Sequence, residues 1–283
     1  MRLIASLLFA CGAAHAACPP EAAALKTANW EMADSARRQQ LALKLLDCLS
    51  LPDPALRDDV GFDGLQTWMR TEKLDSATIN TIRTSLLARL NGDDPQGFGR
   101  PFAALALAEV ARIDRRKPFL TAAERGDLVA AASRFLAGVR DYRGFVENEG
   151  WRHGVAHGAD WMLQLSLNPA LGKADHEVML VAIAAQIAPP GQHFYIYGEG
   201  ERLMAPVYYL AQRETLPAAD WDAWFARLMA GIPDAATSQA TLARRHNLKG
   251  FLQPLAIALA ARGSEGQKTR LLPFVTRSLK QLE

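Results

Sequence analysis

An all-α fold is predicted by three observations. Apolar residues recur at i, i+3/i+4 in nearly every segment, no stretch alternates convincingly as a strand, and Pro/Gly-containing breaks separate the periodic runs. The first run, 22–49, carries Leu25, Trp30, Leu41, Leu45 and Leu49 at helical spacing, with Pro52 and Pro54 beyond its end. Helices are then expected over 55–70, 76–90, 98–113, 122–138, 151–167 and 174–187. Four more follow over 199–212, 217–230, 238–261 with a break near Asn247, and 267–282. Capping residues support three starts: Asp75-Ser76, Thr121 ahead of Ala122-Ala123-Glu124, and Ser238. His193 to Tyr197 is the one strand-like piece, and it reads as a loop because Pro190-Gly191 and Gly198 flank it.

Helices of this length joined by short loops predict one antiparallel array, an α-solenoid of the HEAT or armadillo kind, over residues 17–283. A closed α/α toroid is the alternative, for which about 267 residues leave little material. No Ser/Gly-rich linker divides the chain, so it is read as a single domain.

The N-terminus has the form of a signal peptide spanning 1–16. Arg2 supplies the charge, residues 3–14 the apolar stretch and Ala14-His15-Ala16 the cleavage motif. The apolar run is too short to span a bilayer stably, which predicts a periplasmic or secreted protein with no membrane span in the mature chain. Lipidation at Cys11 is the alternative, opposed by the short signal it would leave and by the bulky Phe9. Removing Cys11 leaves Cys18 and Cys48, an even pair expected to form a disulfide in an oxidising compartment. The 32 basic and 30 acidic side chains nearly balance, so a nucleic-acid partner is not expected.

Chemistry concentrates in two stretches. Read as a helix, Trp151 to Asp160 puts His153, His157 and Asp160 within an arc of roughly 60° on one face. Two imidazoles at i, i+4 are the spacing by which a helix presents ligands to zinc. Gly154 stands where a helical metalloprotease carries its glutamate, so that class is excluded. Three readings stay open: a metal site, for which Glu199, Glu201 and His193 are further donors; a metal-free catalytic or binding site; and a structural polar network. Gly150, Gly154 and Gly158 would together cost the helix roughly 2–3 kcal/mol relative to alanine, which predicts a tight crossing or the floor of a pocket.

The second stretch, His193 to Arg202, gathers Tyr195, Tyr197, Glu199, Glu201 and Arg202 where a Gly-flanked loop enters a helix. It reads either as a binding lip or as ordinary packing with acids favouring a helix N-terminus. Asp141-Tyr142-Arg143 and Arg57-Asp58-Asp59 are expected to be ion pairs joining adjacent helices. Arg244 to Lys249 is expected to be solvated or capping, and Trp221 and Trp224 to be core.

Arg143-Gly144-Phe145-Val146, followed by Gly150-Trp151-x-His153-x-x-Ala156-His157-Gly158-Ala159-Asp160, resembles the signature of the bacterial family known as domain of unknown function 2785. Arg57-Asp58, Glu201-Arg202-Leu203 and Asn247-x-Lys249-x-Phe251-Leu252 resemble its other landmarks in the same order. The resemblance covers roughly residues 40–265. It implies an all-helical fold and points at the histidine segment without naming a reaction.

Two functions are therefore expected. The first is an exported binding module for a small molecule or peptide, with no cofactor, around His153, His157, Asp160 and the 193–202 loop. The second is a hydrolase or lyase on a cell-envelope substrate, metal-free or zinc-assisted. Its general base would be His157, oriented by Asp160, with Arg202 or Tyr197 stabilising negative charge.

Overall fold

A computed structural model describes residues 18–232 and 237–283, so the expected signal peptide and Cys11 lie outside the described residues. The chain begins with α1 (Glu21–Thr27), α2 (Ser35–Cys48) and the short α3 (Pro54–Leu56), which runs through a π-helical turn, Arg57–Phe62, into α4 (Asp63–Arg70). Next come α5 (Ser76–Leu90), α6 (Gly99–Arg116) and α7 (Ala122–Gly138). A small hairpin, β1 (Phe145–Val146) and β2 (Gly150–Trp151), leads into α8 (Gly154–Ser166) and α9 (Lys173–Ile187). The rest is α10 (Glu199–Gln212), α11 (Ala218–Ala230), α12 (Gln239–Arg262) and α13 (Glu265–Lys280).

The helices form an array in which every second helix is a neighbour. α6, α8, α10 and α12 each pack on the next, as do α7 with α9 and α11 with α13. Trp224 of α11 donates its indole N–H to the Leu180 carbonyl of α9, 2.9 Å away, which continues the second row. Trp221 and Trp224 are both buried, as the sequence suggests for core positions. α8 packs on α6, α7 and α10, so the histidine helix is central.

Local chemistry explains the element boundaries. Asp34, Asp75, Thr121, Ser238 and Ser264 each cap a helix start through a side-chain oxygen. The expected single helix over 22–49 is two, because Asn29 and Trp30 take positive φ (51° and 62°) and end α1. Tertiary bonds secure that break: the Trp30 indole donates to Asp63 and the Trp30 carbonyl accepts from the Trp68 indole. The expected disulfide joins Cys18 to Cys48, tying the chain start to the end of α2. The expected break near Asn247 is absent, since α12 runs unbroken through it.

The expected helix over 151–167 is also corrected. α8 begins at Gly154, Trp151 belongs to the hairpin, and His153 is the N-cap residue in the left-handed region, φ 53° and ψ 37°. Gly150 (φ 75°) and Asn148 (φ 66°) shape the hairpin instead of costing the helix anything. Only Gly154 and Gly158 remain within α8.

Candidate functional site

The N-terminus of α8 carries the candidate site. His153 accepts the amide of His157 through its carbonyl, 2.9 Å, as an N-cap residue should. Its own amide donates to the Arg143 carbonyl, and the Arg152 amide to that of Gly144, so the hairpin continues directly into the helix. A non-glycine residue held at positive φ costs of the order of 1 kcal/mol or more and persists where surrounding contacts fix it. Here those contacts are rings.

A ladder of rings runs from the surface inward. Trp151, 37% exposed, stacks on His153 with centroids 4.5 Å apart; His153 meets His157 edge-on at 5.9 Å; His157 meets Phe102 at 5.3 Å. The Arg57 guanidinium lies 4.9 Å over Phe102 and 4.0 Å over Phe98, whose ring also lies 4.1 Å from Arg152. Arg57 is fully buried, bonded to Asp58 and to the carbonyls of Leu51, Pro52 and Glu149. Arg152 bonds the Glu149 carboxylate and the Gln96 carbonyl. These two arginines anchor the hairpin turn to the helix array.

The 193–198 loop closes over the hairpin. The Tyr197 ring lies 5.5 Å from Trp151 and 6.3 Å from His153, and its hydroxyl donates to the Phe145 carbonyl at 3.2 Å. Only glycine fits beneath it: a Cβ at Gly144 would lie 2.0 Å from the Tyr197 ring. The loop is held from α12, where Asn247 accepts the Tyr195 amide and donates to the His193 carbonyl, and His246 bonds the Tyr195 carbonyl. Glu199, buried at the start of α10, accepts the Tyr197 amide at 2.9 Å.

Asp160 does not serve His157. Its carboxylate takes a bidentate ion pair from Arg202 of α10, with the Nε bond at 2.7 Å. His157 is 7% exposed, and neither of its ring nitrogens has a hydrogen-bond partner among the described residues. The Nε2 atoms of His153 and His193 are likewise buried without partners. His153, His157 and Asp160 thus form no mutual hydrogen-bond network: Asp160 pairs with Arg202, and His157 and the Nε2 of His153 have no partner among the described residues.

Burial is the main force on these rings. It pushes the His157 imidazole well below its ordinary pKa, helped by His153 and by the positive charges of Arg202 and Arg57. Burial lowers His153 too, against the pull of Glu199. Asp160 is raised by burial, with the Arg202 bond pulling the other way. Both imidazoles are therefore neutral at pH 7, each ring with one N–H donor and one lone pair.

Of the residues expected at the site, His153, His157, Asp160, Tyr197, Glu199 and Arg202 lie around the start of α8. Glu201 does not: it is exposed and makes no hydrogen bond or ion pair among the described residues. His193 stacks on Tyr142 at 5.3 Å. Asp141 and Arg143 pair with each other, and Arg57 with Asp58, inside their own segments and not between adjacent helices. Asp59 does bridge elements, pairing with Lys26 of α1 at 2.8 Å. Among the described residues no three His, Cys, Asp or Glu side chains are grouped to hold a metal ion. Phe145, Gly144, Phe102 and Asn247 complete the site. Of these, Phe145 and Gly144 neighbour the histidine motif, whereas Phe102 and Asn247 arrive through tertiary packing. Beside Gly154 opens a cleft of about 720 Å³ with a charged lining that includes Arg134, Arg140 and Asp127.

A family model described as a protein of unknown function (DUF2785) matches residues 86–257, more than half of the chain. The chain belongs to this family. The family region contains the hairpin, α8, the 193–198 loop and Asn247, which is to say almost the whole site. Arg57-Asp58 and the disulfide lie outside it. No curated protein and no solved structure matches the chain.

Proposed function

We propose that this protein is a ligand-binding module whose site is the start of α8 under the hairpin and the 193–198 loop. The observation that carries the reading is the set of buried imidazole nitrogens without partners, on His153 and His157, behind an exposed aromatic lip. Leaving a polar group buried and unsatisfied costs about 1–3 kcal/mol, so a ligand that displaces the lip and hydrogen-bonds these nitrogens would recover that cost. Phe145 and Trp151, 46% and 37% exposed, supply the apolar contact surface in front of them. Catalysis by a His157–Asp160 pair is the weaker reading, because a general base needs an orienting partner and Asp160 is committed to Arg202.

The protein works outside the cytoplasm in this reading. The Ala14-His15-Ala16 motif and the Cys18–Cys48 disulfide support export. No helix among the described residues is long and apolar enough to cross a membrane.

A thermal-shift screen of small molecules on wild type, Trp151→Ala and His153→Ala tests the site. A ligand that binds only the native state raises the melting temperature, by about 2.7 kcal/mol of added stability at a hundredfold excess over Kd. The expected result is at least one compound that stabilises wild type and neither variant. Compounds that stabilise all three proteins equally would contradict it.

A further inference from the structure

A second pocket opens at the far end of α6, away from the candidate site. It has a volume of about 250 Å³ and lies between the α4–α5 turn and the last turns of α6. Arg112 in its wall stands roughly 15 Å along the α6 axis from Phe102, so the pocket and the candidate site are separate. The inner wall is apolar: Met69, Leu74 and Ile79 are buried, and Ile113 and Phe119 pack against the same core. Small-molecule pockets usually measure roughly 300–1,000 Å³, so this one limits its occupant to a short chain.

The charges around this opening do not cancel. Its lining carries Arg70, Arg112, Arg116 and Lys117 against a single carboxylate, Glu72. Glu109 takes Arg70 through two hydrogen bonds, whereas the side chains of Arg112, Arg116, Lys117 and Glu72 have no hydrogen-bond or ion-pair partner among the described residues. Asp75, next to Leu74, is committed to capping α5. The C-terminus of α6 accounts for roughly half a negative charge, so even with Glu72 added the three cations keep a surplus of about one positive charge or more. Arginines on other helix faces meet carboxylates, as Arg83 does at Glu124 and Arg277 at Asp222. Arg115 registers the crowding: burial lowers its pKa first, and the neighbouring charges of Arg112 and Arg116 lower it further. We infer that this pocket binds a short amphiphilic carboxylate, its acyl chain against Leu74, Ile79 and Phe119 and its head among Arg112, Arg116 and Lys117. Burial of apolar surface holds the chain, and a guanidinium meets a carboxylate with two parallel N–H groups. The inference is independent of the site at α8.

Calorimetric titration of the disulfide-bonded protein with octanoate, octanol, octylammonium, acetate and a triglutamate peptide tests it. Octanoate should bind, octanol about tenfold or more weakly, and octylammonium and acetate not at all. The double variant Arg116→Glu/Lys117→Glu, whose two side chains are exposed, should weaken octanoate about tenfold or more, while Lys280→Glu on α13 should leave it unchanged. Circular dichroism of each variant excludes unfolding as the cause. In the wild type, nuclear Overhauser contacts should link the octanoate chain to the methyl groups of Ile79 and Ile113, which locates the ligand without any substitution. Equal binding of octanoate and octanol, binding of octylammonium or of acetate as tight as that of octanoate, indifference to the double variant, absence of those contacts, or no binding of octanoate would each overturn the inference. Tighter binding of triglutamate than of octanoate would assign the pocket to an acidic protein partner and overturn it too. Octanoate is kept out of the thermal-shift screen, because it would stabilise wild type, Trp151→Ala and His153→Ala alike; the two sites thus stand or fall separately.

Discussion

Replacing Gly144 by alanine tests how the loop and the hairpin hold each other. The new Cβ would lie 2.0, 2.6 and 2.7 Å from three atoms of the Tyr197 ring, so the ring must leave its place. Gly144 has no positive φ, so the penalty comes from contact and not from the backbone. Expelling Tyr197 breaks its edge contacts with Trp151 and His153, of about 0.5–1.5 kcal/mol each. It also breaks the bond to the Phe145 carbonyl, about 0.5–1.5 kcal/mol more. Because Tyr197 is only half-buried, the low half of the summed range applies, a loss of about 1.5–3 kcal/mol. Urea denaturation of wild type, Gly144→Ala, Tyr197→Ala and the double variant measures it as a cycle. With the ring already gone, Gly144→Ala should cost less than about 0.5 kcal/mol. Equal costs in the two backgrounds would refute the argument, since the two residues would then act independently.

Acid should weaken the fold through buried neutral histidines. His176, fully buried beside Thr215, is lowered to about 4, first by burial and then by Arg213. The unfolded chain protonates it near pH 6.5, so its stabilising share is full above that pH and is lost as pH falls toward 4, about 2 kcal/mol of it by pH 5. Denaturation at pH 7 and pH 5 should show a smaller pH loss in His176→Gln than in wild type. Arg202→Met leaves the Asp160 carboxylate without its partner; stability should fall by about 1 kcal/mol, and carboxyl carbon NMR should show Asp160 titrating at higher pH than in wild type. Reduction of the Cys18–Cys48 bridge, which spans 30 residues, should cost roughly 3–4 kcal/mol by the loop-closure argument, seen as a lower urea midpoint with dithiothreitol.

Much of the array was legible because helical period, caps and breakers are local. The spans 76–90, 122–138 and 199–212 coincide with α5, α7 and α10. What failed locally was decided by tertiary contacts. Trp30 ends α1 because Asp63 and Trp68 hold its indole and carbonyl, and nothing within 22–49 announces that. The hairpin escaped because strands of two residues leave no alternation to detect, and with it escaped the left-handed cap at His153. At the candidate site, residue types and spacing pointed to both histidines, Asp160 and the 193–202 loop, but not to their pairing. The spacing of Asp160 to His157 suggested a hydrogen bond, whereas Arg202, 42 residues on, takes the carboxylate. Arg244 to Lys249 read as solvated or capping, and Asn247 and His246 instead bond the backbone of the 193–195 loop, a role visible only once α12 lies against it.

The central claim is that His153, His157 and the aromatic lip form one ligand site. Long-range proton–nitrogen NMR of the two imidazoles at pH 7, recorded as each compound that raises the melting temperature is added, tests it most directly. The account predicts neutral rings in the free protein and nitrogen shifts at both residues that saturate with the compound. A charged His157 in the free protein, or saturating binding that moves neither ring, would contradict it.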